Sequence, residues 1–301
     1  MRSRTDELSF DELKNLIDQT PFYSLITLTG GEPLLKKGFK KILKYILSKR
    51  RVNIITNGTL IDDEYIDIFT GGKNLLLVGI SIDGLGEVHD KIRGVRGTFN
   101  KTVDNISMLL EAKRSKKRKF PLIDIKTVLD PNNLEILDKM YNFCNKLGVD
   151  FFTISLPKLS DMQFNPVLQN DFTEEIFRKP EEKYNLDLDF LEKQLRKITS
   201  TNGGVKIRYY PGFKNIKSLI SYAKGDRKMR DIFLPCYEPW SGVSITANGD
   251  VYPCLSLKMG NIKEKSFKEI WNSEKYRIFR NRLKANKLFD SCEGCCYLKE
   301  S

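Results

Sequence analysis

Five of the six cysteines of this chain lie at or beyond Cys236. They read Cys236-x17-Cys254 and then Cys292-x2-Cys295-Cys296. A spread pair of thiolates plus a tight pair can enclose one metal centre. The sixth, Cys144, neighbours Phe143 and Leu147 in a predicted helix and reads as a core thiol. A second set of chemistry-bearing residues follows a series of short apolar runs. These are Thr29-Gly30-Gly31-Glu32-Pro33, Thr56-Asn57-Gly58, Ser81-Ile82-Asp83-Gly84, Lys126-Thr127 and Ser155. Paired glycines let a ligand approach the backbone and let amides turn inward. Glu32 offers a carboxylate to a cationic or amine group. Asn57-Gly58 and Asp83-Gly84 are each ordinary turns when taken alone. In order, at successive strand ends, they point to one binding rim.

The runs that must position these residues alternate strand and helix. Ser9 and Glu12 form a capping box that opens a helix reaching about residue 20. Strands are expected at 24–29, 52–56, 75–82, 122–129 and 151–155. Helices are expected at 38–50, 62–69, 99–113 and 133–147, from apolar residues three and four apart. The segment between Asp83 and Phe99, which carries His89 and Arg93, reads as a loop, and the lone His89 as structural. Such alternation gives a parallel sheet with right-handed crossovers, here five or six units of an open barrel. Residues 157–200 break the pattern as an insertion or bridge, with a helix at 186–198, and 205–209 offers one more strand. Beyond Pro235, Asn248-Gly249-Asp250 marks a hairpin turn between 243–245 and 251–252. Helices at 267–271 and 273–285 precede the last cysteines. The expected domains are 1–210 and 235–301.

Composition excludes several classes. Hydrophobic residues make up 40% of the 301, enough for a real core. No apolar run approaches the roughly 20 residues of a membrane span. The first residues carry charge without an apolar stretch, so no signal peptide is read there and a cytoplasmic location is expected. In a reducing compartment, clustered cysteines serve as metal ligands or catalysts rather than as a disulfide frame. Lys and Arg total 51 against 39 acidic residues, a formal charge of +12. The densest basic stretch, from Lys113 to Lys119, lacks interleaved aromatic residues and reads as a solvated helix end. No nucleic-acid or membrane partner is expected.

With these motifs in view, the chain resembles the radical S-adenosylmethionine (SAM) superfamily in its SPASM/twitch branch. The resemblance rests on LTGGEPLL, TNGTLI and SIDG followed by HDKIRGVRGTF. It implies a partial (β/α)6 TIM-like barrel missing its first unit, plus a small C-terminal twitch/SPASM-like cluster domain. It also implies that Gly30, Gly31, Glu32 and Pro33 hold the methionine amino group of SAM. Ser81 and Arg93 match SAM-contacting positions, Arg93 through the carboxylate, and Asn57 would line the same pocket. Cys236-x12-Gly249-x4-Cys254 is similar to the family's cluster signature. Cys292 and Cys295 complete a set for one auxiliary 4Fe–4S cluster, with Cys296 an alternate for Cys295. Zinc remains the other reading of the four thiolates.

The resemblance also implies a Cys-x3-Cys-x2-Cys loop a few tens of residues before the GGEP segment, yet no cysteine precedes Cys144. The expectation is an N-terminally incomplete form that, as this chain, does not cleave SAM reductively. A partner polypeptide that supplies the motif, or a scaffold or zinc/iron–sulfur protein that has lost radical chemistry, are the alternatives. The implied activity is hydrogen abstraction from a peptide or small-molecule substrate, with flavodoxin or ferredoxin as electron donor. No catalytic residue is singled out. Sulfatase-type maturation is disfavoured, because Leu255 stands where those members carry a basic aspartate.

Overall fold

The computed structural model describes residues 6–159, 184–254 and 257–301. Leu255 and most of the expected 157–200 bridge lie outside the described residues. The chain divides into two units, the first formed by Thr20–Ser155 with Asp189–Tyr209. The second gathers Met1–Gln19, Leu156–Leu188 and Tyr210–Ser301. Helix α1 (Phe10–Gln19) therefore opens the chain but belongs to the second unit. The reciprocal bonds of Ser9 and Glu12 cap its start.

The first unit is built on β1 (Leu25–Leu28), β2 (Arg51–Thr56), β3 (Leu75–Ser81), β4 (Leu122–Val128), β5 (Phe151–Ser155) and β6 (Lys206–Tyr210). They form one 6-stranded sheet in sequence order. The registered pairs from β1 to β5 are all parallel. Helices α2 (Phe39–Lys49), α3 (Asp63–Thr70), α4 (Glu87–Arg93), α5 (Thr98–Ser115), α6 (Pro131–Leu134), α7 (Leu137–Leu147) and α8 (Leu188–Thr199) make the crossovers. Parallel strands need such long returns, and the helices they carry cover the sheet.

Alternation along the strands sorts the two faces. Val52, Ile54, Val78, Ile80, Ile123, Ile125, Phe152 and Ile154 are buried at 0–1% exposure. They share one face with the core residues Ile46, Phe69, Leu109 and Leu137 of the helices. The opposite face carries Asn53, Gly79, Ser81, Asp124, Lys126 and Thr153, as the register requires.

Three local readings are corrected. The segment after Asp83 is not a loop: Glu87–Arg93 is the helix α4, bounded by Gly86 (φ 53) and Gly94 (φ 70). Seven residues between glycines give too little periodicity to read. The helix expected at 133–147 is two pieces, because Asp130 and Asn133 form a capping box that starts α6 separately. Lys113 is not a solvated helix end: it is 9% exposed and ion-paired with Asp150 at 3.3 Å.

The second unit adds α9 (Ile216–Lys224), α10 (Met229–Ile232), α11 (Glu238–Ser241), α12 (Phe267–Trp271) and α13 (Glu274–Asn286). Its sheet is antiparallel, β7 (Ser244–Ile245) to β8 (Asp250–Tyr252) to β9 (Gly260–Asn261). The turn at Asn248-Gly249-Asp250 is as expected, with Gly249 at φ 94. Among the described residues no helix is long and apolar enough to cross a membrane.

Candidate functional site

At the strand ends of the first unit, Glu32 ties two loops together. It is 8% exposed and caps the short turn Pro33–Leu35 by accepting from Leu34 N–H at 3.1 Å. The same oxygen accepts from Thr56 Oγ1 at 2.7 Å, and the other accepts from Asn57 N–H at 2.7 Å. A carboxylate has about four acceptor positions, so three internal bonds leave room for one more donor. The backbone of Gly30, at φ 141, is exposed, and nothing stands within 4 Å of where a Cβ would be. Gly31 beside it is exposed as well.

The β2 end is fixed from beneath. Asn57 Oδ1 accepts from Thr59 N–H at 2.9 Å, closing an Asx turn. Thr102 Oγ1 on α5 donates to the Asn57 carbonyl at 3.0 Å. Gly58 sits at φ 78, where a Cβ would meet Ile80 Cγ2 at 2.9 Å and Thr102 Cγ2 at 3.0 Å. Gly58→Ala is therefore expected to destabilise the protein by about 2 kcal/mol, read as a lower urea midpoint at unchanged slope.

The β3 end presents a charge pair. Asp83 is 9% exposed, and its Oδ2 lies 2.5 Å from Arg93 Nη2 while Oδ1 accepts from Val128 N–H at 3.1 Å. Asp83 thus holds the first turn after β3, the end of β4 and the last residue of α4 in one arrangement. Arg93 pairs with Asp83 through Nη2, and its side chain keeps 35% exposure. Ser81 ends β3 two residues before Asp83 and is half-buried.

His89 is 2% exposed and accepts the Asp83 N–H on Nδ1 at 3.1 Å. Burial, with the nearby Arg93 charge, holds its pKa below the ordinary 6.5. A depressed histidine pKa contributes stability that is complete above about pH 6.5 and declines as pH falls toward the folded value. His89→Gln is expected to flatten that decline in urea titrations run from pH 7 to pH 5.

The second unit positions the thiols. Cys236 N–H donates to the Lys287 carbonyl at 3.1 Å. Arg280 anchors the segment that follows: its guanidinium stacks on Trp271 (4.3 Å) and Tyr276 (4.0 Å), and Nε donates to the Pro239 carbonyl at 2.8 Å. Cys254 follows β8 by two residues. Cys295 N–H closes on the Cys292 carbonyl at 3.0 Å, making the knuckle. Gly294 inside it has φ 76 and donates its N–H to Tyr222 Oη at 2.8 Å.

None of the six cysteines is joined in a disulfide. Burial raises the thiol of Cys236 and pushes that of Cys292 up to about 12. Cys292 feels the charge of Cys236, Cys295 feels that of Cys292, and Tyr297 feels Cys296, Cys295 and Cys254. Cys295 and Cys296 share a hydrogen bond that raises the first and lowers the second to about 7. Buried thiols of this kind ionise when a cation replaces their protons. Among the described residues, no three His, Cys, Asp or Glu groups stand at single-ion spacing. Four thiols match the donor chemistry of a four-iron cluster, which takes one thiolate at each iron.

Of the expected residues, the structure joins Glu32 to Asn57 and brings Asp83, two residues beyond Ser81, onto Arg93. Thr56, Asp83 and Thr102 join the site without having been expected as ligand-binding residues. Asp83 carried a signal, since it ends a strand in the same way as Asn57.

The model of the Radical SAM superfamily matches residues 1–144, and SPASM, an iron-sulfur cluster-binding domain, matches 236–296. The AdoMet-dependent heme synthase of Methanosarcina barkeri is 27% identical, over 97% of this chain and 81% of its own length. The Bacillus subtilis subtilosin biosynthesis protein AlbA is 26% identical over 97% of this chain, which spans 61% of that relative. The crystal structure of Streptococcus suis SuiB bound to S-adenosylmethionine superposes with a TM-score of 0.64 at 17% identity, covering 93% of this chain and 62% of that one. The chain belongs to the radical SAM superfamily, in the branch that carries a SPASM domain and uses SAM and 4Fe–4S clusters.

Proposed function

We propose that the strand-end rim of the first unit binds the methionine part of SAM. Gly30, Gly31, Glu32 and Pro33 receive the amino group, Arg93 and Ser81 the carboxylate, and Asn57 lines the wall. The observation that carries this reading is the Glu32 carboxylate, which locks the first two strand ends beside an open glycine backbone. The auxiliary 4Fe–4S cluster is assigned to Cys236, Cys254, Cys292 and Cys295. Cys295 is taken over its neighbour Cys296 because its N–H closes the knuckle on the Cys292 carbonyl at 3.0 Å. The division into a barrel over 1–210 and a cluster domain over 235–301 belongs to the same proposal.

The reaction class is hydrogen abstraction from a peptide or small-molecule substrate, and the names of AlbA and the heme synthase support both kinds. When bound, the SAM cofactor supplies the radical chemistry. The chain's own residues bind and orient: the amide and carboxylate groups fix the amino acid end, and Asp83 aims Arg93.

Calorimetric titration of SAM into anaerobically reconstituted protein tests the reading. One saturable site is expected, weakened about ten- to a hundredfold by Arg93→Ala, since a charge-assisted pair is worth roughly 1.5–3 kcal/mol. An absence of binding favours the scaffold alternative.

A further inference from the structure

The polar face of the first unit's sheet carries a charged cluster that the SAM reading leaves unused. Asp124 on β4 is 0% exposed, and its Oδ1 accepts from Thr153 Oγ1 at 2.7 Å. Its Oδ2 lies 2.9 Å from Lys126 Nζ and 3.7 Å from Arg208 Nη1. Lys126 stands one register step beyond, paired with Ser81. Gly79 makes its path possible: a Cβ there would meet Lys126 Cε at 2.7 Å and Ile55 Cδ1 at 2.8 Å. The lysine side chain thus lies flat across β3.

Arg208, on β6, is built differently. Its guanidinium stacks 3.2 Å above the Phe151 ring. At 3.7 Å from Asp124 it is attracted without a hydrogen bond, and its side chain keeps 34% exposure. Its planar fork is held in place by stacking and by a buried counter-charge, and among the described residues its N–H donors make no hydrogen bond. Burying Asp124 costs several kcal/mol, which Thr153 and Lys126 offset at close range, so the looser Arg208 is not needed to compensate it.

We infer that the Arg208 guanidinium is the receptor for a substrate carboxylate, with Asp124 as the positioning residue that aims it and Lys126 as a neighbouring positive charge. A guanidinium fork matches the two oxygens of a carboxylate. The assignment rests on the reading of this face as the substrate side of the SAM site, one residue pair from Ser81. It narrows the substrate class to peptides or small molecules that present a carboxylate.

The test uses the reconstituted full chain and calorimetry with glutarate, its neutral analogue glutaramide, and inorganic phosphate. Glutarate is expected to bind saturably and glutaramide not to bind. Arg208→Met is expected to weaken glutarate by at least about tenfold, and Arg208→Lys, which keeps the charge but loses the fork, by less. Thermal melts of both variants report whether the fold is kept. No heat with glutarate, equal affinity in a folded Arg208→Met protein, or preference for phosphate overturns the assignment. SAM is titrated into the same samples. Loss of SAM binding from the parent chain sinks the SAM reading alone, whereas failure of glutarate with SAM still bound sinks the receptor alone.

Discussion

Reconstituted under anaerobic conditions, the chain is expected to hold about four irons, and its Cys254→Ala, Cys292→Ala variant essentially none. The two substitutions strike different parts of the ligand set. Cys254 follows the hairpin strand β8, and Cys292 opens the knuckle whose turn depends on Gly294 at φ 76. Cys292 is 7% exposed and its thiol is pushed up to about 12, so without a cation it is an inert core group. Iron reverses that, because the cluster's positive charge offsets the desolvation of the thiolates. Full iron retention by the double variant contradicts the ligand assignment. Cys296→Ala is the companion measurement: it is expected to keep the iron, whereas Cys295→Ala loses it.

Replacing Glu32 by alanine is expected to cost about 3 kcal/mol of stability, because three donors lose a charged acceptor in a buried place. Leu34 N–H, Asn57 N–H and the Thr56 hydroxyl are left without it. Water can reach part of this rim, so the loss stays below the sum of three bonds. Glu32→Gln is milder, about 1–2 kcal/mol, because its amide group turns one acceptor into a donor facing another donor. Urea unfolding measures both. If Glu32 served only the ligand, Glu32→Ala would leave stability unchanged, and that result removes the claim that it locks the strand ends.

Both sites are only partly visible in the residues alone. Strands β2 and β4 were legible because they alternate, Val52 and Ile54 against Asn53, Ile123 and Ile125 against Asp124, and β3 because it is a short apolar run. The strand-end motifs were legible only as a series, since Asn57-Gly58 or Asp83-Gly84 alone is an ordinary turn. The cysteine spacing was legible too, although the coupling among Cys236, Cys292 and Cys295 is a property of the folded knuckle.

Other features were hidden because their causes lie far apart in the chain. The grip of Glu32 on Thr56 spans 24 positions. The contact of Lys113 with Asp150 spans 37, so a basic run looked solvated when one of its members is buried. Helix α4 was hidden by its brevity. Helix α9 was missed although its signals were present: Asn215 caps its start and Gly225 ends it at φ 79. Arg208 offered no signal, since one arginine in a short strand becomes notable only when Phe151 and Asp124 are seen beside it.

The central claim is that the strand-end rim receives the amino acid end of SAM. A crystal structure of the reconstituted chain with SAM tests it most directly. The account predicts the methionine carboxylate within hydrogen-bond distance of the Arg93 guanidinium, with Asp83 still paired behind it, and the amino group against Gly30, Gly31 and Glu32. SAM bound elsewhere in the protein, with Arg93 and the Gly30–Gly31 backbone making no contact to it, would contradict it.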